Sequence, residues 1–273
     1  MNRLILHPAT ASQLNAATIK PAHGYLFVGD TGLGKTSSAL DFANTLLGSS
    51  ATQGDKARWI LFIQPEDGKK LRLSQLERVK DFAYRSKPSG VNYKVIIIDG
   101  ADLLTIEAAN SLLNLLEEPP PLTVIVLVAQ QRAMIPKTVL SRLQIVNFYA
   151  PTPSQLEGLI SEYHISQATY KLAGRSPAKL ITLSQEDQSV QSKLIADAQD
   201  FIGGSIIDRL VVLSTIASKI EASRLINVII ADIQNQAFTE QWVPRANSLI
   251  AAQAHLHNNG NFKFVLEKLA MEY

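Results

Sequence analysis

The sequence contains no cysteine, which excludes disulfides and cysteine-ligated zinc. Charged residues make up only 18% of it, 26 Lys and Arg against 24 Asp and Glu. A net charge of +2 does not by itself mark a nucleic-acid surface, which needs a local basic patch. The Lys and Arg residues that do gather, Lys69, Lys70, Arg72, Arg78, Lys80 and Arg85, read as a solvated helix face. The histidines, at 7, 23, 164, 255 and 257, lack metal-ligand spacing. His255 and His257 stand two apart and so point to different sides of a helix. The longest apolar run, around Val124 to Ala129, is far short of the roughly 20 residues that span a bilayer. The N-terminus lacks a signal-peptide layout. The expectation is a soluble, cytoplasmic protein.

Apolar residues are plentiful, at 46% of 273, enough for two or three domains with real cores. In the first half, apolar runs of strand length alternate with helix-length patterns, the mark of a parallel α/β sheet. Strands are predicted at 24–28, 57–65, 93–99, 122–129 and 143–149. Helices are predicted at 37–48, 73–87 and 105–118, with a short one at 136–142. The uninterrupted β-branched strands suit a sheet covered on both faces. "APTPS" (150–154) reads as a linker, and only helical patterns follow it. The longer ones cover roughly 190–202, 205–220, 221–237 and 243–270. The expected division is an α/β nucleotide-binding domain over 1–150, a small helical domain over 151–188 and an all-α domain over 189–273.

One motif carries chemistry. Gly29-x-x-x-x-Gly34-Lys35-Thr36 lies between a predicted strand and a predicted helix, the context a phosphate loop requires. Gly32 and Gly34 can take backbone angles that turn successive N–H groups toward an anion, and the helix N-terminus adds its dipole. The segment Gly29, Asp30, Thr31, Gly32, Leu33, Gly34, Lys35, Thr36 and Ser37 is therefore the candidate nucleotide site. Lys35 is placed for the terminal phosphates and the Thr36 hydroxyl for magnesium. Asp99 ends the strand "VIIID", at the edge where ligands collect in open α/β sheets, and is the second candidate magnesium ligand. Hydrolysis also needs a group that orients water. The residue after Asp99 is Gly100, which has no side chain, and Asp102 lies at another position of the turn. Nucleotide binding with slow or absent turnover follows, a lost general base costing about 10²–10⁴-fold in rate.

The block "KVIIIDGADLLTIEAANSLLNLLEEPPPLTVIVLVAQQ" with "IPKTVLSRL" resembles the clamp-loader branch of the AAA+ ATPases. The resemblance runs from "PAHGYLFVGDTGLGKT" to "LSRL" and weakly into "AGRSPAKLI". It implies a P-loop AAA+ domain, a helical lid and a helical collar that joins subunits. Implied partners are the other loader subunits, of gamma/tau and delta types, with primed DNA and the sliding clamp met through the assembled complex of DNA polymerase III. Implied cofactors are ATP or ADP with magnesium, and no zinc. Three departures from the family's motor subunits point to its delta-prime branch. The acid-acid pair is Asp99-Gly100, the zinc module is missing, and the lid's sensing arginine is replaced near Pro177, with Arg175 close by. The family's polar sensor falls at Gln130 or Gln131.

Arg142, in "LSRL", is by resemblance an arginine finger acting on a neighbour's γ-phosphate. Its planar, permanently charged fork suits charge spread over several oxygens. Read locally, a cation ending a short helix gains about 0.3–1 kcal/mol from the dipole. Glu117 and Glu118 end a helix where that dipole disfavours them, so either a solvated turn or a subunit contact accounts for them. The alternative function is a hydrolysing gamma/tau-type ATPase that uses Asp102 or an imported base. A small-molecule kinase on the same loop would need an Arg-rich lid, which "PTPSQLEGLISEYH" does not offer.

Overall fold

The computed structural model describes residues 4–48, 51–65, 70–86, 90–173, 175–185, 188–235, 242–257 and 261–273. Lys69 and Gly174 lie outside them. Packing divides the chain into two units, Met1–Leu156 with Ser176–Ala178, and Glu157–Arg175 with Lys179–Tyr273.

In the first unit, β1 (Gly24–Val28), β2 (Ile60–Ile63), β3 (Lys94–Asp99), β4 (Thr123–Ala129) and β5 (Gln144–Asn147) form one sheet. Among the described residues its order is β2-β3-β4-β1-β5, and every pair is parallel. Side chains alternate across the strands. Leu26, Ile96, Ile98, Ile125 and Leu127 face one core. That core is closed by α4 (Leu73–Ala83), α5 (Ile106–Glu117) and α6 (Lys137–Leu140) through residues such as Leu76, Leu112 and Val139. Tyr25, Phe27, Val95, Ile97, Val124 and Val126 face the other. It is closed by α1 (Pro8–Ile19), α2 (Lys35–Leu47) and α3 (Gln53–Trp59) through Ala17, Phe42, Leu46 and Trp59. The two-sided burial expected from the apolar strands is present.

Two elements depart from expectation. The strand predicted from residue 57 begins at Ile60, because residues 53–59 form α3. Thr52 starts that helix with a reciprocal cap: its hydroxyl accepts from the Asp55 N–H, and the Asp55 carboxylate accepts from the Thr52 N–H at 2.9 Å. A capped turn overrode the β-like composition of "RWILFI". Helix α1 was not anticipated, since its Ala, Thr and Asn residues show no apolar stripe. Its signals are Pro8 in the first turn and His7, whose Nδ1 accepts from the Ala9 N–H.

Polar groups dock α1. Thr10 is fully buried; its hydroxyl donates to the Asn147 carbonyl at 2.8 Å and accepts from the Tyr149 N–H. The Gln13 carboxamide accepts from the Asn147 N–H at 2.9 Å. These bonds satisfy backbone groups of edge strand β5 that would otherwise invite another strand.

The second unit is helical. Among the described residues α10 (Gln188–Gly203), α11 (Ile206–Ser214), α12 (Lys219–Asn235), α13 (Trp242–His257) and α14 (Phe262–Glu272) enclose Phe201, Leu225, Ile229, Leu249 and Leu266. Helices α7 (Pro153–Glu162), α8 (Gln167–Ala173) and α9 (Pro177–Ser184) precede them. The helix expected over 205–220 stops at Ser214. The one expected over 243–270 is two helices, the second capped by the Asn261 side chain. Asn and Gly residues in "HNNGN" were the overlooked signal. No described helix is long and apolar enough to cross a membrane. Lys70, Arg72, Arg78, Lys80 and Arg85 are exposed.

Thr10→Val keeps the shape of the side chain but strips both of its bonds from buried backbone. It is expected to cost about 1–3 kcal/mol, read as a lower urea midpoint.

Candidate nucleotide-binding site

In a sheet whose strands all run one way, every carboxyl end lies along one edge. That edge gathers the phosphate loop after β1, Asp99 at the end of β3 and Gln130 after β4. Gly32 and Gly34 have φ of 80° and 81°, conformations costly for any residue with a Cβ. Gly34 is the N-cap of α2, so the loop runs directly into the first turn of that helix, whose free N–H groups favour an anion.

Lys35 is buried. Its ammonium donates to the carbonyls of Gly29 and Asp30, each at 2.7 Å. Burial pushes its pKa below the usual lysine range, while the carboxylates of Asp99, Asp30 and Asp102 pull it back up. A phosphate in the loop would supply the charge that burial withholds. The Thr36 hydroxyl donates to Asp99 Oδ2 at 2.8 Å, so the two expected magnesium ligands, 63 residues apart in sequence, meet. A hydroxyl and a carboxylate are donors that a hard, oxygen-seeking cation takes. Leu33 turns its side chain into the core and offers the loop only backbone. Asp30, Thr31 and Ser37 are exposed.

Gly100 has φ of 75° and opens a tight turn over Ala101–Leu103. A Cβ there would stand 2.9 Å from Pro65 Cγ. The backbone, and not chance, keeps this position free of a side chain. Asp102, the alternative base, uses its carboxylate to accept the Gln130 N–H at 3.1 Å. That bond ties the turn after β3 to the loop after β4, a link with no sequence signal. Gln130 and Gln131 are exposed. Ser176 packs directly on Gly32, its hydroxyl donating to the Gly32 carbonyl at 3.2 Å. Arg175 is exposed and belongs to the second unit.

Arg142 lies elsewhere. It precedes β5 and its carbonyl faces Gly24, at the amino end of β1, about 13 Å of strand away from the phosphate loop. Its Nη1 donates to the Thr138 carbonyl at 2.7 Å and to Ser141 Oγ at 3.1 Å. Its Nη2 forms an ion pair with Glu117 at 2.6 Å. That pair crosses 25 residues and was not read from sequence, although an acid where the helix dipole disfavours it was a clue. Leu143, next in the chain, is buried against Gly24.

The family described as "DNA polymerase III, delta subunit" matches residues 7–152. DNA polymerase III subunit delta' of Bacillus subtilis (strain 168) is 30% identical over 189 residues, 63% of this chain and 56% of that protein. DNA polymerase III subunit tau of the same organism is 30% identical over 155 residues, 52% of this chain and 27% of that protein. The chain thus matches little more than half the length of the first of these relatives and about a quarter of the second. Among solved structures, a DNA polymerase III, gamma subunit-related protein from Thermotoga maritima superposes with a TM-score of 0.60 at 18% identity, covering 96% of this chain and 97% of that one. At that identity the likeness speaks for the fold alone.

Gly100→Glu puts a carboxylate beside Asp99 at the expense of a left-handed backbone and a clash with Pro65. The expected result is a loss of about 1–3 kcal/mol without a gain in ATP turnover, checked by thermal unfolding and phosphate release.

Proposed function

The chain belongs to the family described as DNA polymerase III, delta subunit, and on that premise we propose that it is a delta-prime-type subunit of a clamp loader, helping to place a sliding clamp on primed DNA. In this reading it binds ATP or ADP with magnesium at the loop 29–37, Thr36 and Asp99. It hydrolyses little itself and lends Arg142 to a triphosphate held by a neighbouring gamma/tau-type subunit. Gln130, Gln131 and Arg175 are its candidate sensors. Residues 1–150 are the nucleotide-binding domain, 151–188 the lid, and 189–273 the collar that meets gamma/tau and delta subunits.

The observation that carries this reading is the separation of Arg142 from the chain's own phosphate loop. One stands at the amino edge of the sheet, the other at the carboxyl edge. A fork so placed cannot serve its own nucleotide and is available only to another chain's. The bare position at Gly100 supports the other half, because among the described residues the one directly after Asp99 has no side chain with which to polarise a water.

A second reading, a hydrolysing gamma/tau-type subunit, draws support from the complete phosphate loop, the Thr36–Asp99 contact and the tau relative. Its base would be Asp102, whose carboxylate is already held by the Gln130 N–H.

Two measurements test the proposal. The purified chain should bind nucleotide in a Lys35-dependent way yet release phosphate slowly; fast release that Asp102→Asn abolishes would establish the second reading. In a complex rebuilt with gamma/tau and delta subunits, Arg142→Ala should slow hydrolysis at one site by on the order of 10³-fold. That loss is read as one missing phase in single-turnover kinetics.

A further inference from the structure

Arg142 is not presented freely. A guanidinium has five N–H donors, and this one spends three within its own chain. Both hydrogens of Nη1 go to the Thr138 carbonyl and Ser141 Oγ, and one of Nη2 goes to Glu117. With both terminal nitrogens engaged, the end of the fork cannot grip a phosphate bidentately until it lets go of something. The carbonyl and hydroxyl are neutral and local. Glu117 is the charged holder, and the one whose chemistry matches the ligand: a carboxylate occupies the place a phosphate oxygen would take.

The setting is that of a latch and not of a structural bridge. Glu117 is the last residue of α5, where the dipole's negative end disfavours a carboxylate, so the helix does not account for it. The two side chains are 34% and 47% exposed, which keeps the pair weak and open to competition. They line a cleft of about 570 Å³ shared with His23, Gly24, Ser141 and Gln144, so a group arriving from outside can reach the fork.

We propose that Glu117 is a positioning residue that stores Arg142 against its own chain and is displaced by the triphosphate of the neighbouring subunit. The inference rests on the trans-acting role given to Arg142 above. It adds a built-in competitor: the finger is released only by an anion that outbids a carboxylate, which a bound triphosphate does and a vacant neighbour does not.

The test has two arms. In the purified chain, the rate at which phenylglyoxal modifies Arg142, followed by peptide mass spectrometry, should rise about two- to fivefold in Glu117→Gln, the scale of a partly exposed ion pair. In the rebuilt complex, the same substitution should speed the single-turnover phase that depends on Arg142 by a similar factor, and should do nothing once Arg142 is Ala. Unchanged labelling overturns the latch, as does a Glu117→Gln complex that slows, which would make Glu117 an aligner of the finger. If Arg142→Ala itself leaves every phase intact, it is the trans-acting role that fails. The labelling arm still reports independently whether Glu117 holds the fork.

Discussion

The parallel sense of the five strands is the constraint on which the rest of this structure depends. Parallel strands need crossovers, crossovers put helices on both faces, and both faces must then be apolar. The alternation of Leu26 and Ile96 toward one core with Phe27 and Val95 toward the other is the direct result. The same constraint sorts chemistry. Whatever follows a strand lies along one edge, and whatever precedes a strand lies along the opposite edge. The phosphate loop, Asp99 and Gln130 fall in the first class, and Arg142 in the second. One chain therefore carries a cradle for nucleotide and a cation that cannot reach it.

At the carboxyl edge the backbone constrains which side chains fit. The left-handed angle at Gly100 and the nearness of Pro65 make any side chain there strained. Asp102 is drawn instead into holding the Gln130 N–H, a structural duty that stiffens the loop after β4. Lys35, meanwhile, sits buried on two loop carbonyls. Among the described residues its ammonium is held by backbone carbonyls alone, in a setting where burial disfavours the charge.

At the amino edge the decisive features are side chains that sequence spacing does not relate. Arg142 and Glu117 come from different elements and meet because α5 and the turn after α6 converge beside Gly24. An acid at the end of a helix looked unexplained in the sequence because its partner is supplied by tertiary structure. In the same way Thr10 and Gln13 take their roles from the edge of β5, whose backbone groups they satisfy.

Sequence by itself determined the sheet, the glycine-rich loop and the place of Asp99 at a strand end: continuous β-branched strands, glycines at fixed offsets and a lone acid after them are local patterns with local causes. It did not disclose α1, the start of α3 or the break near residue 260, where short capping interactions override composition. Nor could it disclose which carboxylates are free. Asp102 and Glu117 are distinguishable from solvated acids only once the chain is folded, because the hydrogen bonds that occupy them come from residues 28 and 25 positions away. Local periodicity encodes which surfaces are buried; only the closure of the fold settles which polar groups face one another.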